Sequence, residues 1–139
     1  MRNRIFLDAV FIIALVNEDD DLHKQASELS ILYEGYSLLV TDVVLLEVGN
    51  AMSRNHKQGA VEIIEGLLTS DSVEVVYLTP QLFQQAFDLY KTYQDKAWGL
   101  VDCISFVVMR DAGVTAALTF DRHFEQAGFQ ALMREDVGK

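Results

Sequence analysis

The chain has a single cysteine, Cys103, and a single proline, Pro80, in 139 residues. One cysteine excludes an internal disulfide and a multi-cysteine zinc site, and nothing here demands an oxidising compartment. Basic residues are also scarce: 11 Lys and Arg stand against 21 Asp and Glu, for a net charge of −10. This argues against nucleic-acid binding through a broad basic surface, because that mode relies on Lys and Arg neutralising phosphates. Nucleic acid stays open as a substrate, since bound divalent cations can invert the local charge of an acidic site. There is no Gly-rich phosphate loop, and no Ser-His-Asp arrangement stands out. Long apolar runs are missing too. The opening "MRNRIFLDAVFIIALV" superficially resembles a signal peptide. Asp8 breaks it, and a central Asp costs roughly 2.5–3.5 kcal/mol on the membrane-insertion scale. The following "NEDDD" offers no small-residue cleavage site. No other segment is long and apolar enough to span a bilayer. A cytoplasmic protein is expected.

What remains is ordinary globular material, 50% hydrophobic and 23% charged. Without repeats, linkers or low-complexity tracts, residues 1–139 are expected to form one domain around a sizeable core. Strands are expected at 4–8, 37–40, 73–78 and 115–120, with "QALM" (130–133) as a last edge strand. Helices are expected at 9–16, 22–35, 43–56, 60–70, 81–94, 98–113 and 121–127. Thr41 or Asp42 is positioned to cap the third of these, and Thr79-Pro80 is a good start for the fifth. Tyr33, Phe83, Phe87 and Tyr90 fall on helical spacings and read most simply as core. Such alternation predicts an α/β fold with a mostly parallel central sheet. In such sheets, sites lie outside the carboxyl ends of the strands.

That rule gives the acids meaning. Asp8 directly follows the first strand, and Asp121 follows the fourth. Asp102 shares an apolar helix face with Trp98, Phe106 and Met109, and Glu47 lies beside Val43, Val44 and Ala51 on another helix. Burying an unpaired carboxylate is costly. If the four acids converge, their natural neutraliser is a hard divalent cation with oxygen ligands, Mg²⁺ or Mn²⁺. Such an ion polarises phosphoryl oxygens and lowers the pKa of bound water. Taken singly, each acid has a plainer reading. Asp8, Asp102 and Asp121 could each cap a helix, and Glu47 could turn outward beside Arg54. Asp42 reads as a cap or first-turn acid, and "EDDD" (18–21) as a solvated loop. His23 and His56 read as surface residues. His123 is near the acids and also reads as a surface residue. Cys103 reads as a small core residue.

The stretches "FLDAVFIIAL", "LLEVGNAM", "WGLVDCISFVVMRDAG" and "ALTFDRHFEQAGF" resemble the four motif regions of PIN-domain nucleases. They are most similar to those of VapC-type toxins of bacterial toxin–antitoxin pairs. The resemblance implies a Rossmann-like three-layer sandwich and Mg²⁺- or Mn²⁺-dependent cleavage of single-stranded RNA. In such enzymes a metal-bound water attacks the phosphodiester and leaves a 5′-phosphate and a 3′-hydroxyl. It also implies that Asp8, Glu47, Asp102 and Asp121 are the metal-binding and catalytic acids. Thr119 matches the hydroxyl residue that holds a water or orients Asp121. Homodimers and a VapB-like antitoxin partner are common in the family.

The match has two departures. The family often carries Thr or Ser after the first Asp, where this chain has Ala9, and before the third, where it has Val101. Lost hydroxyls weaken support for a metal. They leave open a second reading, a catalytically weak PIN-fold module that only binds RNA or a partner. Two further phosphate chemistries fit poorly. An aspartyl-phosphate phosphatase usually carries Asp-x-Asp where this chain has Asp8-Ala9-Val10. A receiver domain needs an Asp after the third strand, which here ends "VVYLTP".

Overall fold

The computed structural model describes residues 4–135. Five strands form one sheet: β1 (Arg4–Leu7), β2 (Ser37–Thr41), β3 (Val73–Val76), β4 (Ala116–Leu118) and β5 (Gln130–Ala131). Every pairing is parallel and the order is β3-β2-β1-β4-β5. Seven helices connect them: α1 (Ala9–Val16), α2 (His23–Leu32), α3 (Asp42–Ala51), α4 (Lys57–Thr69), α5 (Pro80–Thr92), α6 (Leu100–Ala112) and α7 (Arg122–Gln126). Helices α1 to α4 pack on one another as one group, and α5 packs on α6 as a second. The result is the expected three-layer α/β sandwich.

The central strand β1 is deeply set, with Ile5, Phe6 and Leu7 all buried, as befits a parallel strand covered on both faces. Local chemistry sets the helix ends. Thr41, rather than Asp42, caps α3 by accepting from Val44 N–H at 3.0 Å. Thr79 caps α5 ahead of Pro80 in the same way, accepting from Leu82 N–H at 3.1 Å. Gly113, at φ +69°, ends α6 in the left-handed conformation that glycine adopts without strain. The structure trims several expected elements. The third strand stops at Val76, and residues 130–133 form only a two-residue strand followed by a 3₁₀ turn, Leu132–Arg134.

Strand order matters most for function. Chain connection moves outward from β1 through β2 to β3, then crosses back to β4 on the other side of β1. The order therefore reverses between β1 and β4, and such a switch point opens a crevice at the carboxyl edge. Register pairs Leu7 with Leu118. The next residues, Asp8 and Thr119, thus emerge side by side at that crevice.

Beneath it lies an aromatic cluster. Phe106 is fully buried and meets Phe124 edge-on at 5.0 Å and Trp98 at 5.1 Å, with Phe129 at 5.7 Å. These rings join α6 to α7 and to the segment before α6. The aromatics of α5 behave differently from the expectation. Phe83, Phe87 and Tyr90 are 43%, 37% and 45% exposed rather than core. They do form one stripe, stacked ring on ring, but α5 buries the adjacent stripe, Leu82 and Ala86. Tyr33 is only half-buried.

Phe106→Ala should cost about 3–5 kcal/mol of stability through the lost transfer energy and the cavity left behind, measured by urea unfolding against the wild type.

Candidate active site

Four elements deliver side chains to the crevice, and hydrogen bonds link most of them in a continuous chain. Asp8, at the end of β1, accepts through Oδ2 from the Thr119 hydroxyl at 2.7 Å. Thr119 is fully buried, and its Oγ1 in turn accepts from Asp121 N–H at 3.0 Å. Asp121 accepts through Oδ1 from His123 N–H at 2.9 Å and so caps α7. The His123 ring Nδ1 then lies 3.3 Å from Asp121 Oδ1 and 3.0 Å from Asp102 Oδ2. Asp8 and Thr119 are 111 residues apart in sequence, and the β1–β4 register alone makes them neighbours.

Asp102 occupies the third position of α6. Its Oδ2 also accepts from the N–H of Gly99, the residue that begins the helix, at 3.1 Å. A carboxylate here is favoured by the helix dipole and satisfies one of the otherwise unpaired N–H groups. The capping reading of Asp102 therefore holds, and the same oxygen also meets the His123 ring. Asp121 caps α7, whereas the Asp8 side chain makes no capping bond to α1.

Glu47, on α3, is exposed, and among the described residues no ion pair joins it to Arg54. Its carboxyl is pushed above the usual range, first by partial burial and then by the charges of Asp8 and Asp102. It therefore feels the cluster across the crevice. Asp8 is pushed further, to about 6. Burial is the main cause, the Thr119 and Ala9 hydrogen bonds oppose it, and Asp102 and Asp121 add repulsion.

The other polar residues singled out in the sequence lie elsewhere. Asp42 accepts from Leu78 N–H at 3.0 Å and ties down a loop. In the 18–21 loop, Asp20 accepts from Leu22 N–H at 2.8 Å. Cys103 is buried, and burial raises its thiol. His123 departs from the surface reading, since its ring joins two of the acids. A signal for it existed in the sequence. It stands two residues after Asp121, where an aspartate commonly accepts the following backbone N–H.

Among the described residues no Lys or Arg pairs with Asp8, Glu47, Asp102 or Asp121. Asp8 feels the charges of Asp102 and Asp121, and Glu47 those of Asp8 and Asp102, but among the described residues Asp8 and Glu47 stand outside the one group whose possible ligand atoms come together. Oxygen donors of this kind suit a hard divalent cation. Ligand atoms of Asp102, Asp121 and His123 already lie within 4.8 Å of one another.

Known proteins resemble this chain in sequence and in fold. The family model described as PIN domain matches residues 5–130. A relative described as 23S rRNA-specific endonuclease VapC20, in two strains of Mycobacterium tuberculosis, is 30% identical over 125 residues, covering 90% of this chain and 95% of the relative. The crystal structure of Mycobacterium tuberculosis VapC20, described as a sarcin-ricin loop cleaving toxin, superposes with a TM-score of 0.80 at 30% identity over 90% of this chain and 95% of that one. With a family model spanning nearly the whole fold and a relative matched almost end to end, the chain belongs to the PIN-domain family.

Proposed function

We propose that this chain is a VapC-type toxin, a divalent-metal-dependent endoribonuclease that hydrolyses phosphodiester bonds of single-stranded RNA. The observation that carries this reading is the group of acids at the strand carboxyl edge, Asp102 and Asp121 drawn together at His123 with Asp8 tied to Thr119 beside them, none of them paired with a Lys or Arg among the described residues. Asp8, Glu47, Asp102 and Asp121 would hold Mg²⁺ or Mn²⁺. When bound, such an ion offsets the clustered charge, polarises a phosphoryl oxygen and makes water a better nucleophile. The chain's own residues do the rest. Thr119 fixes Asp8 and the backbone of Asp121 with a single hydroxyl. Glu47 stands at the exposed rim, where substrate would approach. The water oxygen would bond to phosphorus as water gives up a proton, the bond to the 3′-oxygen would break, and that oxygen would take up a proton from solvent, leaving a 3′-hydroxyl beside a 5′-phosphate.

The likeness to VapC20 supports RNA as the substrate, and a sarcin–ricin-type loop is the first RNA to test. Thr119 bears on the second reading, a weak binding module. Ala9 brings no hydroxyl to Asp8, but Thr119 brings one, so the departure at that position leaves Asp8 with a hydroxyl partner. A protein partner, a second copy or a VapB-like antitoxin, is supported by exposed apolar side chains on α2, α4 and α5, among them Ile31, Leu68 and Phe83. No helix among the described residues is long and apolar enough to cross a membrane.

Purified protein incubated with single-stranded RNA and Mn²⁺ or Mg²⁺ should cleave it. EDTA or Asp102→Asn should lower the rate by roughly 100-fold or more, since charge stabilisation in such sites is worth several kcal/mol. Unchanged cleavage under either treatment would overturn the assignment.

The raised Asp8 carboxyl yields a signed pH effect. The folded chain holds this proton up to about pH 6, above the ordinary value of 3.8. Protonated Asp8 therefore favours folding at low pH, and this contribution fades as pH rises from about 4 to 6. In EDTA, Asp8→Asn should gain stability over the wild type across that window, by at most about 3 kcal/mol, read from urea unfolding at several pH values. Mn²⁺ affinity of the wild type should run the opposite way, falling about tenfold per pH unit below 6 because the ion needs the ionised carboxylate.

A further inference from the structure

Asp102 and Asp121 reach the crevice from different helices, and their charges push them apart. His123 stands between them, with Nδ1 3.0 Å from Asp102 Oδ2 and 3.3 Å from Asp121 Oδ1. A carboxylate oxygen only accepts, so Nδ1 donates its proton to Asp102, with Asp121 Oδ1 within ion-pair distance of the same nitrogen. Among the described residues, the hydrogen bonds to Asp102 all fall on Oδ2, from Gly99 N–H and the His123 ring. The hydrogen bond to the Asp121 carboxylate falls on Oδ1, from the backbone N–H of His123. The protein thus engages one oxygen of each acid and leaves Asp102 Oδ1 and Asp121 Oδ2 for another partner.

The geometry points to His123 as a positioning residue that clamps Asp102 to Asp121, its ring N–H on the one and its backbone N–H on the other, so that the pair is already gathered for a divalent cation. This rests on the reading of the acids as metal ligands given above. The ring is not itself a ligand through Nδ1, because a nitrogen that donates its proton has no lone pair free for a metal. Its effect is preorganisation. A site whose ligands are already gathered binds tightly, whereas a separated, mutually repelling pair must first be brought together against that repulsion. The backbone half of the arrangement, His123 N–H on Asp121, does not depend on the side chain. Replacing the ring therefore leaves the α7 cap in place.

The test is calorimetric titration of Mn²⁺ into the intact chain. His123→Ala should weaken Mn²⁺ binding by roughly 10–100-fold, the usual effect of losing a group that orients a ligand. His123→Asn carries an amide N–H at the same branch point as Nδ1, and it should restore binding to within about threefold of the wild type. Cleavage by His123→Ala should recover at high Mn²⁺, so that the metal requirement shifts more than the maximal rate. Unchanged Mn²⁺ binding in His123→Ala overturns the clamp. So does a nitrogen hyperfine coupling to bound Mn²⁺ in pulsed electron paramagnetic resonance, which would make the ring a ligand. Because the readout is binding, the two proposals fail separately. A chain that binds Mn²⁺ through a His123-dependent site yet cuts no RNA retains the clamp and loses the nuclease assignment.

Discussion

Four negative groups in one crevice do not stay together by attraction, so the backbone must hold them there. In this protein the constraint is met by strand register. Leu7 lies opposite Leu118 in adjacent parallel strands, so Asp8 and Thr119 leave the sheet as neighbours, and the chain can turn at Thr119 to bring Asp121 back over the same edge. The Thr119 hydroxyl serves both directions at once, donating to the Asp8 carboxylate and accepting from the Asp121 backbone. Helices α3 and α6 then start beside this edge and add Glu47 and Asp102. Each later feature of the crevice depends on that pairing of β1 with β4.

The scaffold beneath is correspondingly stiff. Phe106 lies one helical turn beyond Asp102, and Phe124 directly follows His123. Their rings meet edge-on at 5.0 Å. The polar chain at the surface and the aromatic contact below it therefore join the same two helices. Apolar packing provides the stability that clustered carboxylates subtract, and the raised Asp8 carboxyl shows how strongly that crevice disfavours negative charge.

Much of this is legible in the polymer. Short apolar segments alternating with helices demand a largely parallel sheet, and the rule that sites gather at strand carboxyl ends gives Asp8 and Asp121 a common edge. Asp102 stands out because a carboxylate on a face shared with Trp98, Phe106 and Met109 calls for an explanation. Other features depend on contacts that periodicity does not encode. The strand order and the Leu7–Leu118 register are tertiary. His123 looks like a surface residue until α6 and α7 are packed together and its ring falls between two acids. The α5 aromatics show a further limit. A helix can carry two adjacent apolar stripes, and spacing alone does not say that Leu82 and Ala86 face the core while Phe83, Phe87 and Tyr90 face out.

The bond between Asp8 and Thr119 spans 111 positions, and this has a consequence for the order in which the protein comes into being. A chain emerging from the ribosome presents Asp8 and Glu47 well before the strand that brings Thr119 and the turn that brings Asp121. Contacts this remote in sequence form late, because loop closure precedes any gain from them. Until β4 pairs with β1, Asp8 lacks the hydroxyl that holds it, and Asp121 has no turn to bring it to the same edge.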